Sequence, residues 1–420
     1  MKISPAPRIL AIAAIAVGAP AALLYLASYF WGLWFLLLSL VLILIERRFS
    51  LGAQAFTAAV RRALVRAAIP VVGIASALLF GAFIMALTGY DPIVSYKALF
   101  YGGLVRNWSV SVLNATPLMF TGLAVAFAFQ GGLFNIGAEG QYYIGVMAAT
   151  WLGLRLDLPP LVAIPVIYAA GAAMGAALNG IPALLKVKTG AHEVITTMMC
   201  AYAVRTLAPM FIRANGGDPA VTTHPGATDQ VSQQVWLPLF KDFLPAANYR
   251  LHIGIIIAIA CAFLVRFILM KTSLGYKIRA VGHNHVAART AGISVGKITV
   301  ASLLISGMLA ALSGVTQDLG LDHRMFQDLN AGYGWNGISI ALLARNNPLL
   351  IILTALLWGV LDAGGQFMAR TAQTPNAIIE IVKGTVLFLL LADVIYEKIG
   401  GWLGGLLRRR FTRGRTGAGA

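Results

Sequence analysis

The chain has 420 residues, of which 59% are hydrophobic and only 11% charged, against about a quarter charged in soluble domains. A mean hydropathy of +0.80 sustained over that length excludes a soluble multidomain protein, a disordered chain, a coiled coil and a secreted disulfide scaffold, and makes lipid the solvent for most of the sequence. The net charge of +17 sits in a few segments between apolar runs, which is the distribution of the positive-inside rule and not that of a nucleic-acid-binding face.

No charged residue interrupts Leu10 to Ile45. At 1.5 Å per residue one helix over that stretch would be roughly 54 Å long, too long for the hydrocarbon core. It is read as a hairpin of two spans turning near Tyr29, Phe30, Trp31, Gly32 and Trp34, where aromatic rings suit the interface and glycine eases the reversal. Because the second apolar half follows the first directly, a cleaved signal peptide is not expected. The arginine-rich segment from Glu46 to Arg66 is expected in the cytoplasm, so residues 1–66 read as an N-terminal extension, 67–400 as the core and 401–420 as a basic cytoplasmic tail.

Further spans are expected over Ala67 to Leu87, Val110 to Phe129, Ile136 to Leu154, Leu158 to Leu185 and Val194 to Ile212, then over Ile253 to Met270, Ile298 to Val315, Leu349 to Met368 and Ala377 to Ile395. Gly337 to Ala344 is too short to cross alone and reads as a half-helix unless Trp335 and its neighbours extend it. Counting it as a crossing gives twelve and puts every basic segment, both termini included, in the cytoplasm, with the long Ala214 to Arg250 loop outside. The fold class is therefore all-α, a polytopic helical bundle of about 10–12 membrane helices. Gly122 to Phe134 also overlays on Gly337 to Leu349, with Gln130 falling on Arg345, which suggests an internal duplication.

Residue chemistry argues against an enzyme. The six histidines form no ligand-spaced cluster, Cys200 and Cys261 stand in apolar runs as small hydrophobes, and no G-x-S-x-G elbow or catalytic carboxylate pair occurs. The run AGISVGKIT puts three residues instead of four between Gly292 and Gly296, and Ile298 stands where a phosphate-binding loop needs its hydroxyl. No catalytic residue, metal site or cofactor is expected in this chain.

The polar residues within or beside spans are few. FNIGAEGQ, Phe134 to Gln141, follows Gly131 and Gly132 and contains Gly137 and Gly140. Glycines at that density weaken a helix by about 1 kcal/mol each, so a backbone break is expected, with Asn135, Glu139 and Gln141 facing protein or an aqueous cavity. Glu139 either has a partner and a role in the membrane or caps the following helix at its interface. Trp335 and Asn336 in GYGWNG offer an aromatic face and an amide to a solute path. Glu380 and Lys383, three apart, can pair on one helix face.

FNIGAEGQ, the block SLGYKIRAVGHNHVAARTAGISVGKITVASLLISGMLAALSG from Ser273 to Gly314, and GYGWNGISIALLARNNP from Gly332 to Pro348 together resemble the permease subunits of ATP-binding-cassette importers, in the branched-chain amino acid and simple-sugar permease superfamily. The first run is most similar to the nucleoside branch. The resemblance covers roughly Ala67 to Ile395 and leaves the opening hairpin outside. It implies a plasma (inner) membrane subunit that carries a small polar solute, a nucleoside first, with a simple sugar or branched-chain amino acid as the alternative. It also implies an ATP-binding subunit that holds ATP and magnesium, a second permease subunit and an extracytoplasmic solute-binding protein. Coupling to the ATPase is expected in the basic segment 273–297, through Arg279, Gly282 and the remnant of the EAA-x-x-x-G signature, Ala287, Ala288 and Gly292, where Val286 replaces the glutamate. Val286 to Gly292 is expected to form a short helix ended by its glycine. A rival from another class is an ion-gradient transporter using Glu139 or Asp362.

Overall fold

The computed structural model describes residues 73–217, 226–243, 250–327 and 332–391. The opening hairpin, the arginine-rich segment after it and the basic tail lie outside the described residues. Ala77–Phe243 and Tyr249–Leu391 make one compact unit, and of a second unit only residues 73–76 are described.

The elements in chain order are α1 (Gly73–Leu87), α2 (Pro92–Phe100), α3 (Trp108–Gln130), α4 (Ala138–Gly153), α5 (Pro160–Thr189), α6 (Glu193–Ile212) and α7 (Gly254–Lys271). They continue with α8 (Ser273–His283), α9 (His285–Thr290), α10 (Val295–Gln317), α11 (Tyr333–Leu343), α12 (Pro348–Thr371) and α13 (Ala377–Leu391). Among the described residues, α3, α5, α6, α7, α10 and α12 are long and apolar enough to cross a membrane. α2 and the π-helical turn Tyr101–Arg106 after it were not expected from the sequence. Asp91 accepts N–H bonds from Ile93 and Val94 there and Pro92 opens the helix, a start signal of ordinary strength.

α3 is the core of the bundle. It is apolar on every side and almost wholly buried, packed by α10, α11, α12 and α7, as a helix without a polar face must be. The outer helices show the opposite pattern, with Leu161 on α5, Met210 on α6, Phe267 on α7 and Leu353 on α12 all exposed, a surface that suits lipid. Close approach inside the bundle depends on small residues. A Cβ on Gly145 of α4 would collide with the Ala311 carbonyl of α10, and one on Gly175 of α5 with that of Gly307.

The two ends of the bundle are built differently. At one end residues 226–243, between α6 and α7, form a cap stapled to the far end of α10. Val231 N–H donates to the His323 carbonyl at 2.9 Å, Leu237 N–H to Leu319 at 2.8 Å and Thr228 N–H to Met325 at 2.9 Å. At the other end the expected coupling segment is a pair of helices, α8 and α9. Thr272 and Asn284 cap their starts, and α9 ends in a left-handed Gly292, with Ile293 N–H bonded to Ala288 and Gly292 N–H to Arg289.

The short α11 is the half-helix of the Gly337 segment. The chain leaves the cap at Met325, and α11 ends at the opposite side of the bundle, where Gln130 Nε2 donates to the Asn346 carbonyl at 3.2 Å. The described residues on either side of 328–331 thus reach opposite ends of the bundle. The same shift that lays Gly122 on Gly337 lays α4 inside α12 and the start of α5 near that of α13. The overlaid glycines also sit on either side of one helix contact: a Cβ on Gly122 would crowd Ile340, and one on Gly337 would crowd Thr121.

Candidate functional site

Two helices begin inside the bundle and meet at Glu139. α3 ends in a glycine turn, with Gly132 left-handed and Leu133 N–H bonded back to Ala128. Residues 133–137 then rise as irregular backbone before α4 starts. Such backbone is tolerated at depth only where its polar groups are satisfied. Here Asn135 does this: its Oδ1 accepts from Gly137 N–H at 2.9 Å, and its Nδ2 donates to Ser306 Oγ of α10 at 2.8 Å. Asn135 and Gln141 also form a reciprocal amide pair, at 2.8 and 3.1 Å, and both are fully buried. Thr197 of α6 takes the Ile136 N–H at 3.3 Å.

Glu139, in the first turn of α4, accepts the Gly334 N–H in the first turn of α11 at 2.7 Å. Its partner is thus the N-terminal end of a second helix, where the macrodipole and open amides favour a carboxylate. The approach is tight, for a Cβ on Gly334 would collide with the Glu139 backbone nitrogen. Glu139 sits in the first turn of α4 without capping it and bridges to the start of another helix. Trp335 and Asn336 follow on α11, half-buried, with Asn336 Oδ1 accepting from Trp358 Nε1 of α12 at 3.4 Å. Of the five residues expected on a solute path, Glu139, Trp335 and Asn336 gather at the α4–α11 junction, while Asn135 and Gln141 are occupied with each other.

The segment 273–297, expected to couple to an ATPase, touches this site through backbone. Gly282 at the end of α8 packs on the α3 turn so closely that a Cβ there would collide with the Gln130 carbonyl oxygen, while one on Gly132 would press on Gly282 in return. Arg279 donates from Nε to the Leu269 carbonyl at 3.0 Å and pins α8 to α7. On α9, Val286 and Ala287 are exposed and Ala288 is buried against the bundle. Of the two alanines expected to couple, only Ala287 is thus on the exposed face. The face α9 offers outward is Val286, Ala287, Arg289 and Thr290, and Ala288 holds the helix in place. Gly292 has no neighbour near its missing side chain, so its left-handed backbone, and not packing, requires glycine.

Sequence spacing missed one partner. Lys383 of α13 does pair with Glu380 at 2.9 Å, and it also contacts Asp362 of α12, which no local pattern could reveal. Among the described residues no histidine, cysteine and carboxylate group could hold a metal ion.

Residues 109–391 match the family described as branched-chain amino acid transport system, permease component. The guanosine ABC transporter permease protein of Bacillus subtilis is 34% identical over 340 residues, covering 80% of this chain and 96% of its own. The nucleoside ABC transporter permease protein of Lactococcus lactis subsp. cremoris is 32% identical over 342 residues, 78% of this chain and 92% of its own. The glucose ABC transporter permease protein of Haloferax volcanii is 30% identical over 342 residues, 78% of this chain and 88% of its own. No solved structure matches the chain. With a polytopic helical bundle and a family match over most of its length, the chain belongs to the permease components of the branched-chain amino acid transport systems, a multi-pass membrane subunit of an ABC transporter.

Proposed function

We propose that this permease imports a nucleoside, received from an extracytoplasmic binding protein at the cap end and driven by an ATP-binding partner that docks on α8 and α9. A second permease subunit would complete the path. The nucleoside assignment rests on the guanosine and nucleoside permeases among its relatives, and glucose is the second reading, from the Haloferax volcanii relative. On this orientation α8 and α9, with the basic Lys271, Lys277 and Arg289, face the cytoplasm, in keeping with the positive-inside rule.

The observation that carries the mechanism is the backbone contact between Gly282 and the Gln130–Gly132 turn. Motion imposed on α8 by a closing ATPase has no side chain to absorb it and passes to the turn that begins the broken segment 133–137. That segment leads to Glu139, whose bond to Gly334 joins the two broken helices. Shifting one broken helix against the other is an established way to alternate access to a central path. ATP and magnesium belong to the partner in this reading. Uptake of labelled guanosine by cells carrying the whole transporter tests the assignment. It should be competed by other nucleosides, survive collapse of the ion gradients and stop when ATP is depleted. Competition by glucose alone would replace nucleoside with sugar, and dependence on the ion gradient would remove the ATP-driven reading.

A further inference from the structure

The far end of α10 carries polar atoms that the fold does not satisfy. Here the helix loosens into a π-turn, Asp318–Asp322, a departure from regular geometry that is common at functional positions. Asp318 is fully buried; Thr150 Oγ1 of α4 donates to its Oδ2 at 3.1 Å, and its Oδ1 has no hydrogen-bond partner. Tyr142, also on α4 and 0% exposed, has a hydroxyl with no partner either. Buried polar atoms are nearly always paired, so two orphans at one helix junction ask for a ligand.

These two groups share surroundings. The Tyr142 hydroxyl lies within electrostatic reach of Tyr333, Asp322, Glu139 and Asp318. Its ring meets that of Tyr333 edge to face, with centroids 5.6 Å apart, and Met325 packs beside them. Asp322, one turn on from Asp318, is half-buried and accepts from Gln317 Nε2 at 3.2 Å. Among the described residues neither aspartate forms a salt bridge with a cation. The junction of α4, α10 and α11 therefore sets carboxylate acceptors against aromatic rings, a short way from the Glu139 contact.

We propose that Tyr142 and Asp318 form a solute-binding site that takes the vicinal hydroxyls of a nucleoside sugar, with the tyrosine rings against its base. The inference rests on the nucleoside reading and gives that reading its contacts. A carboxyl group buried without a cation and a phenol hydroxyl each both donate and accept, so the paired donors and acceptors of a neutral polyol on a flat ring fit, while a phosphorylated solute would bring a charge that nothing here neutralises. Binding would occur as the path opens, and the orphans mark the closed state.

The test uses the complete transporter with its ATPase and second permease, carrying Tyr142→Phe or Asp318→Asn. Tyr142→Phe keeps the ring and deletes a hydroxyl that stabilises nothing here, so its folding should be unchanged or improved. We expect guanosine uptake to fall about two- to tenfold in each variant, the range for a lost neutral hydrogen bond. Without the binding protein, millimolar guanosine should raise the thermal midpoint of the unsubstituted complex, 2′,3′-dideoxyguanosine should not, and the variants should lose the shift. Variants that keep both uptake and shift overturn the site while the nucleoside reading stands. A drop in thermal midpoint for Tyr142→Phe with equal loss of shift for both ligands makes the role structural and also overturns it. An unsubstituted complex that takes up no guanosine overturns the reading beneath.

Discussion

Glu139 meets backbone amides at the start of another helix, with Arg205 close enough to act on it electrostatically, and both broken helices depend on this one side chain. Glu139→Gln retains an acceptor for Gly334 N–H and should keep the fold with reduced uptake. Glu139→Ala leaves that amide unpaired in a buried place, at a cost of about 1–3 kcal/mol. Thermal unfolding of the purified complex beside uptake separates the two, and equal stability of both variants would show that the bond does not hold α11. The Lys383 contacts make a second case. Lys383→Met strips Asp362 of its cation inside the bundle and should destabilise by about 3–5 kcal/mol, while the pair Asp362→Asn with Lys383→Met should recover most of that. If the double variant is no better than the single one, the coupling is absent. Only half of this network was legible in the sequence, because Glu380 and Lys383 are helical neighbours and Asp362 reaches them through tertiary packing. Likewise the glycines announced the break at 131–140, and the partner that stabilises it, Gly334, stands on an element far along the chain.

At the scale of elements, apolar run length located the long helices to within a few residues, since each must match the membrane whatever surrounds it. It did not separate α8 from α9, where the boundary is set by the Asn284 cap and not by hydropathy. Nor did it show α2, which is short and ends in a π-turn. Helix face is also hidden in a six-residue element, and this is why Ala287 and Ala288 read alike in sequence but differ in burial. Their difference makes a prediction. Ala287→Asp puts a charge on the exposed face of α9, so assembly should persist while ATP hydrolysis loses its link to uptake. Ala288→Asp buries an unpaired charge and should lower the yield of folded subunit. Measuring ATP turnover, uptake and yield for the two variants decides, and an Ala287→Asp complex with normal coupled uptake would remove α9 from the docking surface. Gly282→Ala belongs to the same argument, because its methyl would push directly on the α3 turn.

For the molecule as a whole, the cap was the least legible part. Its residues lack helical periodicity and are held by scattered backbone bonds to α10, so hydropathy saw only a long polar loop. Two histidines fasten it. His252 is buried, accepts the Gly254 N–H through Nδ1 at 3.1 Å and packs on Gly320, while His323 stacks on Trp236 with centroids 3.9 Å apart. Burial first, then the nearness of His323, brings the His252 pKa from 6.5 down to about 4. Burial, with Arg250 and Arg324 adding to it, brings His323 to about 4 as well. Both are neutral in the folded cap and would take a proton once it opens. The open state therefore binds more protons between about pH 6.5 and 4, so cap stability is complete above that window and falls as pH drops through it. For His252 the slope reaches about 1.4 kcal/mol per pH unit at most, and the more exposed His323 contributes less. Hydrogen exchange over 226–243 and 318–323 should thus speed up on acidification while the α3 amides stay protected, because local opening of the cap need not unfold the core. His252→Asn, which keeps an acceptor for Gly254 and cannot take the proton, should flatten the response. A cap whose exchange, corrected for the intrinsic pH effect, is unchanged between pH 7 and pH 4.5 would mean that these imidazoles do not secure it, and that its hold on α10 rests on the backbone bonds alone.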